Sequence, residues 1–347
     1  VILAKKHLSQ TTPSFLLVNT GNANAGTGEQ GLVDALACCE ALAQTANVSL
    51  DSVLPFSTGV IGESLQVEKI CAGIPDAFAE LSENGWVDAA HGILTTDTVP
   101  KGASRQIDID GQKITITGIA KGSGMIRPDM ATMLAYIATD AQVDAESLQA
   151  CLNQAVNISF NRITVDGDTS TNDACLLMAT GKSGVVIDQA NEAAYETFSQ
   201  AVGEVCEELA LAIVRDGEGA TKLITVSVAE GGSEAECLQV AYTIAHSPLV
   251  KTAFFAGDPN WGRILAAVGR AGMNDLELKN IQIFIDDVCI VSNGGRDPGY
   301  NEELGQAVMD GDEITVRILL GRGDFSAQVW TCDLSYDYVR INAEYRT

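Results

Sequence analysis

Apolar and polar positions alternate along the chain in two periods, and their order predicts a mixed fold. Residues 14–19 (SFLLVN) read as a buried strand, and residues 32–45 have helical spacing with Asp34 and Glu40 outward. A second helix is expected over 65–84. Two alternating runs, 104–109 and 113–119, are joined by Asp110-Gly111 and predict a β-hairpin. The apolar run 133–137 reads as a strand ending at Thr139-Asp140. Helices follow over 145–158 and, longest of all, 192–214. A helix-rich block over 235–271 is interrupted at Gly257–Arg263. Strands then dominate, at 281–285, 288–291, 313–319, 326–331 and 338–341. Helices and strands mix without a regular β-α-β rhythm, which predicts an α+β fold.

Composition narrows the classes. With 347 residues, 46% hydrophobic and 19% charged, the chain can bury a large core. A net charge of −25 excludes nucleic acid and anionic membrane surfaces as expected partners, because both select basic faces. Acidity is concentrated in the second part: 14 acidic against 8 basic residues precede Thr132, and 32 against 13 follow from it. Nine cysteines without a C-x-x-C pair and three histidines predict buried thiols, with no zinc site and no disulfide frame. No signal peptide or long apolar span is evident, so the cytoplasm is the expected compartment. The chain opens on Val1-Ile2-Leu3 without Met, so an upstream segment is expected.

Several loops carry candidate chemistry. Gly26–Gly31 matches G-x-G-x-x-G, but six residues separate it from the strand, so a nucleotide site is the weaker reading. The string 159–173 resembles a calcium loop and fails on ligands, with Thr171 where Gly is needed and Leu177 where Glu is needed. The stretch 121–141, KGSGMIRPDMATMLAYIATDA, runs from a Gly- and Pro-tightened loop into the apolar run, and delivers Thr132 to its start. A Thr there could be a held nucleophile or ordinary strand composition.

That stretch resembles the self-cleavage site of the ornithine acetyltransferase family, the bifunctional glutamate N-acetyltransferases of arginine biosynthesis. The resemblance extends through S-T-G-V-I-G at 57–62, T-T-D-T at 95–98, R-I-T-V-D-G-D-T-S-T-N-D at 162–173, D-G-E-G-A-T-K at 216–222 and the C-terminal residues. It implies stacked β-sheets flanked by helices, and a cut between Ala131 and Thr132. Residues 1–131 would then be an alpha chain and residues 132–347 a beta chain. It further implies that Thr58 and Gly59 form the oxyanion hole. Thr95, Lys121, Thr132, Glu218, Asn342 and Thr347 would bind substrate. A heterotetramer of two cleaved copies is the implied assembly.

The implied chemistry is ping-pong acetyl transfer from N-acetylornithine to glutamate through acetyl-Thr132, without cofactor, and with acetyl-CoA as an alternative donor in some members. A freed Thr α-amine, with an ordinary pKa of ~7.7–8.0, can serve as base for its own hydroxyl. A self-cleaving N-terminal-nucleophile hydrolase would share these parts and pass the acyl group to water.

Overall fold

The computed structural model describes residues 1–127 and 133–344. Ala131, Thr132 and Thr347 lie outside the described residues.

Four layers make the body of the site. The strands Phe15–Asn22 and Val53–Val60 pair in parallel, connected by the helix Gly28–Ala46, so one β-α-β unit does occur. Beneath them lies a four-stranded sheet in the order Lys101–Ile109, Gln112–Lys121, Leu134–Thr139, Ala174–Ala179. The period-2 alternation of its strands feeds two cores at once. Ile114, Ile116, Ala120, Ala135 and Ile137 face the helices Ala145–Ile158 and Glu192–Arg215. Ile119, Leu134 and Tyr136 face Leu54 and Phe56 of the parallel pair. Phe56 meets Tyr136 edge-on, ring centroids 5.5 Å apart. The parallel pair is covered on its far side by Cys39, Leu42 and Ala43 of its connecting helix and Ile74 of Val67–Ala79. Sheets stacked on each other and flanked by helices are the expected α+β architecture.

The remaining chain builds a seven-stranded mixed sheet. Within it Leu223–Gly231 runs parallel to the central strand Glu313–Leu319 and antiparallel to Phe325–Cys332. The helices Glu234–Ala245, Pro248–Phe255 and Trp261–Gly269 pack against it.

Most expected elements form, including the hairpin turn, where Asp110 and Gly111 take φ of 54° and 82°. Several expectations need correction. The strand Leu223–Gly231 was not anticipated, and neither were Val53–Val60 and Ala174–Ala179. The helix expected over 65–84 is Val67–Ala79, with Pro75 inside it. Residues 338–341, expected as a strand, belong to the helix Tyr336–Glu344. Their aromatic and β-branched content suits a sheet, but tertiary contacts decide otherwise. Tyr336 packs edge-on against Phe255 at 5.5 Å, and Ser335 Oγ accepts the Asp337 N–H while donating to Gly219 O.

Candidate active site

The cleft opens where the ends of three strands meet two loops. Ser57, Thr58 and Gly59 come from the end of Val53–Val60, and Lys121 ends Gln112–Lys121. Leu134 begins the next strand, and Met133 immediately precedes it. Gly124, Asp173, Glu218 and Asn342 line the cleft too. All six described residues singled out as site candidates (Thr58, Gly59, Thr95, Lys121, Glu218 and Asn342) therefore share one cleft. The cleft adjoins Met133, the residue after Thr132.

Lys121 is its hub. The side chain is 4% exposed, and Nζ donates to Thr95 Oγ1 at 2.7 Å and to Thr58 Oγ1 at 3.2 Å. A hydroxyl that accepts from a lysine keeps its own proton free to donate, so Thr58 is arranged as a donor. Burial lowers the Lys121 pKa below its ordinary value, and Lys101 lowers it further, against the opposing pull of Asp97, Asp173 and Glu218.

Gly59 is required by its geometry. Its φ is 130°, and a Cβ there would lie 2.6 Å from the Asn22 nitrogen and closer still to the Gly21 carbonyl carbon. The parallel pair closes tightly at this point, beside a register shift at Asn22.

Beneath Lys121 runs a buried ionic chain that the sequence did not announce. Asp97 Oδ2 lies 3.8 Å from Lys121 Nζ, while its Oδ1 accepts from Lys101 Nζ at 2.7 Å and from the Gly122 N–H at 2.7 Å. Lys101 also meets Asp216 Oδ2 at 2.5 Å. Burial pushes the Asp97 carboxyl upward, but Lys121, Lys101 and the hydrogen bonds outweigh it and hold the pKa below the ordinary value. Asp216 stands two residues before Glu218, so the chain ties the lysine to the segment that carries Glu218.

Glu218 is seated by a close approach. Its N–H donates to Ser123 O at 2.8 Å, and a Cβ on Gly124 would lie 2.5 Å from Glu218 Oε2. The glycines of the K-G-S-G segment thus make room for an acid as well as a turn. Asn342 Nδ2 donates to Glu218 Oε2 at 2.7 Å, and one helical turn back it donates to Tyr338 O at 3.0 Å. Helix formation at the chain's end is what delivers Asn342.

The string 162–173 ends at the cleft, where Ser170, Asn172 and Asp173 line it. Asn172 Nδ2 donates to Ala23 O and, at 3.2 Å, to Ser57 O, tying the turn to the strand end that carries Thr58. Asp166 accepts the Met125 N–H at 2.6 Å and the Ile126 N–H at 3.0 Å. Among the described residues no group of three His, Cys, Asp or Glu could hold a metal ion, and no helix is long and apolar enough to cross a membrane.

The ArgJ family model matches residues 1–347. The chain belongs to the ArgJ family. Within it, an arginine biosynthesis bifunctional protein ArgJ of Pseudomonas syringae pv. tomato is 60% identical over 348 residues, spanning 100% of this chain and 86% of that protein. The corresponding protein of Methylococcus capsulatus is 60% identical over 347 residues, spanning 100% and 85%. The crystal structure of the arginine biosynthesis bifunctional protein ArgJ of Bacillus halodurans superposes with a TM-score of 0.56 at 41% identity, covering 59% of this chain and 96% of that one. The cleft described above therefore belongs to an ArgJ-family fold.

Proposed function

We propose that this ArgJ-family chain cuts itself between Ala131 and Thr132 and then moves an acetyl group from N-acetylornithine to glutamate through an ester on Thr132. The observation that carries the reading is the meeting of Lys121 with Thr58 and Thr95 in a cleft that holds the Glu218–Asn342 pair and whose edge is Met133. Thr132 Oγ attacks the donor's acetyl carbon. Thr58 and Gly59 stabilise the tetrahedral oxyanion, a contribution of roughly 3–4 kcal/mol per donor. Glu218 holds the cationic end of ornithine, and Asn342 and Thr347 close over it. Glutamate then collects the acetyl group. The α-amine of Thr132 is the base, and the nearby Lys121 charge favours its neutral form.

Support for two pieces comes from how the cleft is shared. Thr58, Gly59, Thr95 and Lys121 precede the cut, whereas Asp173, Glu218 and Asn342 follow it. The strands Gln112–Lys121 and Leu134–Thr139 pair antiparallel from Ile116–Thr139 to Lys121–Leu134, so a cut in their connection leaves the ladder intact. The solved Bacillus halodurans chain is much shorter than this one, as a separate second piece would be. Two such cleaved copies would form the assembly.

The test is consumption of N-acetylornithine with and without glutamate. Transfer requires N-acetylglutamate to appear in step with ornithine and turnover to stop after one acetyl per site when glutamate is withheld. Sustained release of acetate without glutamate would establish a hydrolase instead.

A further inference from the structure

Asp173 has no part in the mechanism above, yet it lines the cleft with Met133, the residue after the proposed cut. The inference that follows rests on the self-cleavage reading. Asp173 is 6% exposed and lines the cleft with Met133 and Lys121. Its Oδ1 accepts the Met133 N–H at 2.5 Å. Its Oδ2 is buried and has no hydrogen-bond partner among the described residues. The carboxyl is held there by the sheet, because Ala174 pairs with Leu134 and donates its N–H to Met133 O at 3.1 Å. An unpaired buried carboxyl oxygen is costly and calls for an explanation.

Covalent geometry supplies one. The nitrogens of residues 132 and 133 are three bonds apart, so they cannot be separated by more than about 3.7 Å. Asp173 Oδ1 thus holds the amide of the residue that directly follows Thr132 in the chain. We propose that Asp173, as a neutral carboxylic acid, protonates the nitrogen of Thr132 as its bond to Ala131 breaks. The Thr132 Oγ–Ala131 carbonyl carbon bond forms, and the carbon–nitrogen bond breaks. The nitrogen takes the proton from Oδ2, and the carboxylate takes up the proton that the hydroxyl gives away. Asp173 ends as it began, an ester links the pieces, and water hydrolyses it.

The surroundings keep the acid neutral. Burial pushes the Asp173 pKa up to about 8, against the Met133 hydrogen bond and the Lys121 charge. An ordinary aspartic acid, with a pKa of about 3.9, would hold no proton to give near neutral pH. Among the described residues, the titratable groups that share its cavities are Lys121 and Glu218 in the cleft and Lys5 and Cys175 in the apolar cavity behind.

The test follows the full chain, freshly made and pulse-labelled in a cell-free system, through buffers bracketing pH 8. The wild-type cleavage rate should fall about tenfold per pH unit above about 8, as the acid is lost. Asp173→Asn keeps an acceptor for the Met133 N–H, so the chain should fold, yet cleave about 100-fold slower or less and lack that pH limb. It should also resist hydroxylamine, since the ester never forms. Cleavage of Asp173→Asn at the wild-type rate, or its fragmentation by hydroxylamine, overturns the proposal. Should the variant fail to fold, the wild-type profile decides, and a rate that stays flat above pH 8 overturns it. A wild-type chain that never cuts overturns the self-cleavage reading itself, and this inference with it.

Discussion

Gly59→Ala is a small change with a calculable effect. The added methyl would sit 2.6 Å from the Asn22 nitrogen and nearer to the Gly21 carbonyl carbon, both backbone atoms of the paired strand. Non-bonded heavy atoms settle at about 3.5–4.0 Å, so the strand ends must part by about 1 Å. The φ of 130° adds strain of about 1–2 kcal/mol for a residue with a side chain. Neither cost unfolds a protein of this size, but the displaced segment carries Thr58 and Gly59, the proposed oxyanion donors. A 1 Å misplacement is worth about 10²-fold in rate, and loss of one donor about 10²–10³ in kcat. The assay is N-acetylornithine:glutamate transfer, normalised to the cut fraction from denaturing mass spectrometry, so that a change in cleavage is not counted as a change in kcat. We expect kcat to fall about 100-fold with the fold retained. A kcat within about threefold of wild type would refute the assignment of this strand end to the oxyanion hole.

Three further outcomes are expected. Lys101→Met removes the cation between Asp97 and Asp216, leaving two buried carboxylates, and should cost about 3–5 kcal/mol in denaturant unfolding; a loss below about 1 kcal/mol would show that the chain of charges is dispensable. Glu218→Gln keeps an acceptor for Asn342 but removes the charge, so KM for N-acetylornithine should rise about tenfold or more at nearly unchanged stability; an unchanged KM would remove Glu218 from recognition of the cation. His246 has its pKa lowered to about 4, by burial first and then by Arg127 and Lys251. The unfolded chain, with an ordinary histidine near 6.5, therefore binds the extra proton first, and stability should drop as pH falls from about 6.5 to about 4. His246→Asn should flatten that slope in thermal melts, and an unaltered slope would assign it to other groups.

Local chemistry was readable where a short segment decides its own conformation. Asp110-Gly111 specified a turn, and the period of 192–214 specified the helix Glu192–Arg215 to within a residue. The tail 338–341 was misread because its Tyr and Val content argues for a strand locally, while Phe255 and Gly219, distant in sequence, hold it as a helix. Leu223–Gly231 was missed although I-T-V-S-V alternates, because the glycine-rich loop before it drew the reading toward loop chemistry. In the site, the family strings named Thr58, Lys121 and Glu218, but spacing could not pair Lys101 with Asp216 across 115 residues, nor Asp173 with Met133 across 40. Those contacts exist only once neighbouring strands pair and the helix Glu192–Arg215 packs on their sheet.

The central claim is that the acetyl group passes through the hydroxyl of Thr132, and one measurement addresses it directly. The protein is exposed briefly to N-acetylornithine without glutamate, denatured, and mapped by peptide mass spectrometry. The account predicts two chains, the second beginning at Thr132, with the acetyl group on the peptide that starts there and absent after a glutamate chase. Thr132→Ala should give one uncut, unlabelled chain, and Thr132→Ser should still cut and label. Acetyl found on Lys121 or on a cysteine, or an active chain that remains whole, would contradict it.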